Sequence, residues 1–152
     1  MSIRETDEAF VAHTYQRYPV EIVSGKGSLL YDATGKEYID MGSGIAVSSL
    51  GIADEDWIAA VTAQLSLVQH TSNLYYTAPC ARLAAELCRR TGLKKVFFGN
   101  SGAEANECAI KVARKYAQEK KGADYYNIIT LENSFHGRTL TTLAATGQTH
   151  YH

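Results

Sequence analysis

Two short segments of this chain carry residue types suited to one kind of chemistry. Ser101-Gly-Ala-Glu104 has the spacing of a helix start, with a hydroxyl to cap it and a glycine that leaves the backbone N–H groups of Gly102 and Ala103 approachable. N–H groups at the positive end of a helix dipole bind phosphate. Phe135-His-Gly-Arg138 sets an aromatic ring near a guanidinium. The ring is suited to stacking on a heterocycle, and the guanidinium to holding a carboxylate through two parallel N–H···O bonds. Together they outline half of a site for a small phosphorylated coenzyme. Covalent work by such a coenzyme also requires a positioned lysine amine, and no lysine up to His152 stands in an obvious place for one.

Each segment has a plainer reading. Ser-x-x-Glu is a capping box on its own account, the Ser101 hydroxyl accepting from the Glu104 N–H and the Glu104 carboxylate reaching back. A carboxylate beside a phosphate is unfavourable, so Glu104 should turn away from any ligand. Phe135 can equally belong to a core, and Arg138 to a solvated loop. His136, beside the ring, orders the loop and is given no catalytic role. Position favours the ligand reading of Ser101: it lies between an apolar run and a helix, at the edge where α/β sheets bind ligands.

Other chemistries lack their residues. There is no G-x-x-x-x-G-K-[ST] and no G-x-G-x-x-G, so the phosphate belongs to a small coenzyme and not to a nucleotide. His150 and His152 have a chelating spacing but no further ligand, and the exposed-terminus reading prevails. Asp32, Asp40 and Glu86 have no partner carboxylate for hydrolytic work, and G-x-S-x-G is absent.

The elements that must position these segments follow from periodicity. Val20–Val23, Ser28–Tyr31 and Glu37–Asp40, parted by Gly25-Lys-Gly27 and Asp32-Ala-Thr-Gly35, predict a small antiparallel meander. Residues 41–51 predict loop. Asp54-Glu-Asp56 opens a helix whose stripe is Trp57, Val61, Leu65 and Val68. A second helix begins near Thr77, carries Pro79 in its first turn and stops at Gly92. Lys95–Phe98 and Asn127–Leu131 predict buried strands, and between them Ala105, Cys108, Ala109, Val112, Ala113 and Tyr116 line one helical face, with Glu107 and Lys111 paired on the other. Strand, helix, strand predicts a βαβ unit and a parallel sheet. Thr139–Thr146 begins a further helix.

The 152 residues are 45% hydrophobic and 20% charged, ordinary globular composition, with 15 basic against 16 acidic residues. Lys94-Lys95 and Lys120-Lys121 are isolated pairs, so nothing favours a nucleic-acid partner. Cys80, Cys88 and Cys108 have no CxxC spacing and read as reduced thiols. The polar start of the chain is no signal peptide, and no apolar run is long enough for a membrane. A cytoplasmic protein is expected.

Beyond single motifs, the chain resembles the class III pyridoxal-phosphate-dependent aminotransferases, in particular the acetylornithine and ornithine aminotransferases. The likeness runs from Tyr15-Gln-Arg-Tyr-Pro-Val20 and Gly25-Lys-Gly27 through Asp32-Ala-Thr-Gly35, Tyr38-Ile-Asp40 and Gly44-Ile-Ala-Val47. It continues in His70-Thr-Ser-Asn73 with Tyr75-Tyr76, in Phe97-Phe-Gly-Asn-Ser-Gly-Ala-Glu-Ala-Asn-Glu107, in Ala109-Ile-Lys111, in Ser134-Phe-His-Gly-Arg-Thr139 and in Ala145-Thr-Gly-Gln148. The resemblance implies a fold-type I α/β transferase, with an N-terminal antiparallel segment over residues 1–50 and the start of the large, mostly parallel coenzyme-binding domain over 51–152. It implies pyridoxal 5'-phosphate as cofactor, bound by Ser101, Gly102 and Ala103 with Phe135 on its ring. Arg138 would hold the substrate α-carboxylate, and Tyr15 and Ile45 would border the substrate side chain. Ile45 stands where ornithine aminotransferases look to carry tyrosine, which favours an N-acetylornithine or succinylornithine donor, with 2-oxoglutarate as acceptor.

The resemblance also implies a homodimer with sites at the subunit interface. It covers only the N-terminal part of the family's length. The family's Schiff-base lysine and the aspartate at the pyridine nitrogen lie beyond His152, no catalytic residue of the family falls within this chain, and the isolated chain is expected to be inactive. A non-catalytic partner of a full-length subunit, or a phosphate-binding domain without enzymatic activity, is the alternative expectation.

Overall fold

The computed structural model describes residues 1–151, which form two compact units, residues 1–73 and the residues from Leu74 onward. The first unit opens with helix α1, Ile3–Phe10, capped by Ser2 and Glu5 in a reciprocal box. The Ser2 hydroxyl accepts from the Glu5 N–H at 3.1 Å, and the Glu5 carboxylate accepts from the Ser2 N–H at 2.7 Å.

The expected meander is present as β1, Ile22–Lys26, β2, Leu29–Asp32, and β3, Glu37–Ile39, antiparallel in the order β1-β2-β3. Its register sets Ser24 opposite Tyr31 and Leu30 opposite Tyr38. The β2–β3 turn is built on Asp32, whose carboxylate accepts from the N–H groups of Thr34 and Lys36 at 2.9 and 3.0 Å and from the hydroxyls of Thr34 and Tyr38 at 2.7 and 2.8 Å. Gly27 exchanges backbone bonds with Ile52, both 2.8 Å, which ties the approach to the next helix onto the meander. A side chain at Gly51 would meet the Gly27 backbone at 3.0 Å, so the close approach requires glycine there.

Residues 41–51, expected as loop, contain one helical turn, α2, Ser43–Ala46. Helix α3, Glu55–Leu65, is capped by Asp54, which accepts from the Trp57 N–H at 2.8 Å. Val68, assigned to its stripe from periodicity, lies past its end.

In the second unit, α4 spans Ala78–Thr91 with Thr77 at its N-cap, proline in its first turn and Gly92 left-handed at its C-cap. Helix α5, Gly102–Lys121, follows an N-cap at Ser101. After Gly122 the chain turns back, with the Arg114 guanidinium 5.9 Å from the Tyr126 ring and the Lys121 ammonium 5.7 Å from that of Tyr125. Helix α6, Leu140–Ala145, and a short 3-10 turn, Thr149–Tyr151, complete the described residues.

Two expectations need correction. Lys95–Phe98 and Asn127–Leu131 are not strands and are not buried: Phe97 is 62% and Ile129 95% exposed. A strand exists only through backbone bonds exchanged with a neighbour, and neither segment has one among the described residues, so the parallel sheet does not form within them. The Glu107–Lys111 pair is also absent. Lys115 pairs with Glu119 at 2.8 Å instead, and Glu107 is engaged elsewhere. No hydrophobic side chain is buried among the described residues, and the buried polar ones are Thr142 and Thr146. The stripe on α5 is present but uncovered, with Val112 and Tyr116 more than half exposed.

Candidate functional site

The two chemistry-bearing segments meet at the first turns of α5. Ser101 is extended at φ −153° and ψ 161°, and its hydroxyl accepts from the Glu104 N–H at 3.2 Å. The Glu104 carboxylate reaches one residue further back than a standard box requires. It accepts from the Asn100 N–H at 2.5 Å and side-chain amide at 3.3 Å, and from the Ser101 hydroxyl at 3.3 Å. These bonds, the Asn100 amide first, hold its carboxyl below the usual range. The carboxylate is therefore satisfied on the Asn100 side, while the Gly102 and Ala103 N–H groups, at the first two helical positions, have no intrahelical acceptor. A Cβ placed at Gly102 would meet nothing within 4 Å. The turn is open there.

Directly beside it runs the 134–139 segment. Gly137 has φ +134°, and a Cβ at that position would fall 2.7 Å from the Ala103 Cβ and 2.6 Å from Thr142 Oγ1. Only glycine permits this backbone angle and this approach together. The loop is then fastened along α5. Asn106 donates its side-chain amide to the His136 carbonyl at 2.8 Å, and the Thr139 hydroxyl donates to Glu107 Oε1 at 2.6 Å. A carboxylate only accepts, so the single Thr139 hydroxyl proton is committed to it. The Thr142 hydroxyl, 2.7 Å from Thr139 Oγ1, is consequently the donor of that pair, and it accepts from the Thr139 N–H at 3.0 Å.

Thr142 is fully buried and Thr146 is 2% exposed, so their hydroxyls, not an apolar core, form the interior of this loop. Thr146 Oγ1 accepts from the His136 N–H at 3.1 Å. At the base, the Asn133 N–H donates to the Gly147 carbonyl at 3.1 Å and the Gly147 N–H donates to that of Ser134 at 3.0 Å. Gly147 is held there by space, since a Cβ would lie 2.5 Å from the Leu131 carbonyl oxygen.

Phe135 is half exposed, its ring 5.7 Å from that of Tyr151 and tilted by 53°. The Arg138 guanidinium carbon lies 5.9 Å from the Phe135 ring and 5.5 Å from the Tyr151 ring. Ring and guanidinium, three positions apart in sequence, thus neighbour each other on the loop that rests on Ala103. A small cavity of about 260 Å³ opens alongside, lined by Asn106, Ile110, Leu131, Ser134 and His136 among others.

The structure brings Ser101, Gly102, Ala103, Phe135 and Arg138 into one neighbourhood. Tyr15 and Ile45 belong to the other compact unit. Tyr15 lines a cleft of about 550 Å³ with Asp7, Arg17 and Glu21, whose walls are joined by an Arg17–Asp7 ion pair of 2.9 Å. Ile45 stands 95% exposed on α2.

Asn106, Gly137, Thr139, Thr142 and Thr146 are the supporting residues that sequence reasoning missed. Their signal was the recurrence of threonine at 139, 142 and 146, which is one face of a helix and its exit. Among the described residues no three His, Cys, Asp or Glu side chains come together as metal ligands, and His152 of the His-x-His pair lies outside the described residues. No helix among them is long and apolar enough to cross a membrane.

The family model for class-III aminotransferases matches residues 10–152, and the chain belongs to that family of pyridoxal-phosphate-dependent transaminases. Its relatives narrow the comparison. It is similar to the acetylornithine aminotransferase of Haemophilus ducreyi, 55% identical over 99% of this chain and 38% of the relative. It is also similar to that of Wolinella succinogenes, 51% identical over 96% of this chain and 38% of the relative. The chain thus spans about two fifths of the length of the curated relatives it matches. Among solved structures, the ornithine aminotransferase of Toxoplasma gondii superposes with a TM-score of 0.90 at 30% identity, covering 97% of this chain and 35% of that one. The N-acetylornithine aminotransferase of Stenotrophomonas maltophilia does so with 0.77 at 41% identity, covering 88% and 35%. The α/β class expected from sequence is that of these structures. A second structure of the Toxoplasma ornithine aminotransferase, crystallized in the presence of oxidized glutathione, shows partial occupancy of pyridoxal phosphate at the active site.

Proposed function

We propose that this chain is the coenzyme- and substrate-binding N-terminal portion of an aminotransferase that moves an amino group from N-acetylornithine, or a related ornithine derivative, to 2-oxoglutarate. One observation carries the reading: Gly137 seats the Phe135–Arg138 loop directly on Ala103, at the helix start whose first two N–H groups have no intrahelical acceptor. The residues present fit the coenzyme. Gly102 and Ala103 would donate to its phosphate and the Ser101 hydroxyl would line the same turn. Phe135 would cover its ring. When bound, pyridoxal phosphate supplies an electron sink that lets an amino group be exchanged between carbon skeletons.

The work of this chain is binding and orientation. Arg138, its planar fork matched to a carboxylate, would fix the substrate by its α-carboxylate. Tyr15 and Ile45 would border the donor side chain, with isoleucine leaving room that a tyrosine would fill. The donor identity is supported by the similarity, near 50% identity, to acetylornithine aminotransferases. A homodimer with sites shared between subunits, a cytoplasmic setting consistent with three free thiols, and inactivity of the isolated chain complete the proposal.

Gly102→Pro tests it. Proline is well tolerated at the first helical position, and Ser101 already has the extended backbone that a residue before proline adopts. The helix should persist by circular dichroism while one phosphate donor is removed. Loss of a hydrogen bond to a charged group costs about 1.5–3 kcal/mol, so coenzyme affinity in the complete enzyme should fall roughly ten- to a hundredfold. Unchanged affinity with an intact helix would refute the phosphate assignment. Formation of glutamate by the isolated chain from N-acetylornithine, 2-oxoglutarate and pyridoxal phosphate would refute its inactivity.

A further inference from the structure

The turn that carries Ile45 has an unusual backbone. Ser43, Gly44, Ile45 and Ala46 have φ of 47, 61, 57 and 63°. These are four successive left-handed residues, of which only one is glycine. In this region Cβ crowds the following carbonyl, and a β-branched residue is the least suited to it. No packing compensates, because Ile45 is 95% and Val47 83% exposed.

What holds the turn is hydrogen bonding. The Gly42 carbonyl accepts from the N–H groups of Ile45 at 2.8 Å and Ala46 at 3.2 Å, and the Ser43 carbonyl from that of Ser48 at 2.9 Å. Asp40 enters from the end of the meander: its Oδ1 accepts from the N–H of Gly42 at 3.0 Å and of Ser43 at 2.8 Å. One carboxylate oxygen thus grips the two N–H groups that lead into the strained run.

We propose that Asp40 is a positioning residue for the amino donor, clamping the Ser43–Ala46 turn in its left-handed form so that the Ile45 side chain is presented to the donor. This rests on the reading above that Ile45 borders the donor side chain. Side-chain direction follows φ and ψ. A relaxed, right-handed or extended segment would aim Ile45 elsewhere without altering any residue that touches substrate. Strained residues held in place by surrounding bonds cluster at active sites and ligand clamps, and here the bonds from Asp40 and Gly42 do the holding.

The test uses the complete enzyme with three substitutions, Asp40→Ala, Asp40→Asn and Ile45→Tyr, and two readouts. The first is the rate at which thermolysin cuts the coenzyme-free protein before Ile45 and Val47. The second is the ratio of kcat/KM for N-acetylornithine to that for ornithine. Asp40→Ala should speed cleavage by about tenfold or more and shift the donor ratio by a comparable factor through KM. Asp40→Asn, which keeps the Oδ1 acceptor, should restore both to within about twofold. Ile45→Tyr should shift the donor ratio whatever happens to cleavage.

Cleavage of Asp40→Ala at the parent rate overturns the clamp. Faster cleavage with an unchanged donor ratio, while Ile45→Tyr changes it, overturns the positioning role and leaves the donor-facing reading intact. An unchanged ratio in Ile45→Tyr removes that reading, and the proposal falls with it.

Discussion

Asp32 shows how much of the N-terminal unit depends on single polar side chains. Its carboxylate gathers four donors across the β2–β3 turn, the Thr34 and Tyr38 hydroxyls foremost, and they lower its pKa to about 2 from an ordinary 3.8. A carboxyl whose folded pKa lies below its unfolded value stabilises fully above the unfolded value and loses that contribution as pH falls through the folded one. The turn should therefore hold down to about pH 4 and open between there and pH 2. Amide exchange at Thr34 and Lys36 followed against pH checks this, and a midpoint near 4 would contradict it. Asp32→Ala should abolish protection at both amides already at neutral pH. The turn itself was legible, since Asp-x-Thr-Gly is turn chemistry whatever surrounds it. The cap at Ser2 was equally open to reading, because Ser2-Ile-Arg-Glu5 repeats the spacing noted at Ser101.

At the scale of elements, the helices agree with expectation where local signals set them: starts near Asp54 and Thr77, Ser101 as a cap, and Gly92 as a stop. The failures are of the other kind. Lys95–Phe98 and Asn127–Leu131 have strand composition, but composition cannot supply the partner that makes a strand, and Glu107 was assigned to Lys111 because helix spacing says nothing of a threonine arriving from residue 139. The joint between α5 and the 134–147 loop was invisible for the same reason. It is nevertheless the joint on which the site depends.

Two substitutions probe that joint. Gly137→Ala would place a methyl group against Ala103 and Thr142 at a backbone angle that disfavours it, costing about 1–3 kcal/mol, and should reduce coenzyme affinity at least about tenfold. Equilibrium binding of pyridoxal phosphate to the complete enzyme measures it. Thr142→Val keeps the shape but strands the Thr139 N–H, at a cost of about 1–3 kcal/mol. Faster exchange of that amide should report the loss before any change in helix content.

Taken whole, the described chain has its secondary structure in place and its apolar side chains uncovered. Stability of an ordinary domain comes mostly from burial of such side chains, and helices that bury no face are marginal. On its own, the 152-residue chain should bind a hydrophobic dye, sediment as a mixture of associated species and melt without a sharp transition. A monodisperse monomer with a steep, reversible melt would contradict this. The family was legible at this scale because many short motifs, each weak, fall in one order along the chain; packing was not, because no local pattern records which surfaces will be covered.

The 133–147 loop, by contrast, is closed at its base by backbone bonds and filled by hydroxyl groups, and it is seated on α5. Such a segment is preorganised: its conformational entropy is lost when the loop forms, not when a ligand arrives. Coenzyme capture should then proceed close to the encounter-limited rate, with discrimination between related phosphorylated aldehydes residing in how slowly each one leaves.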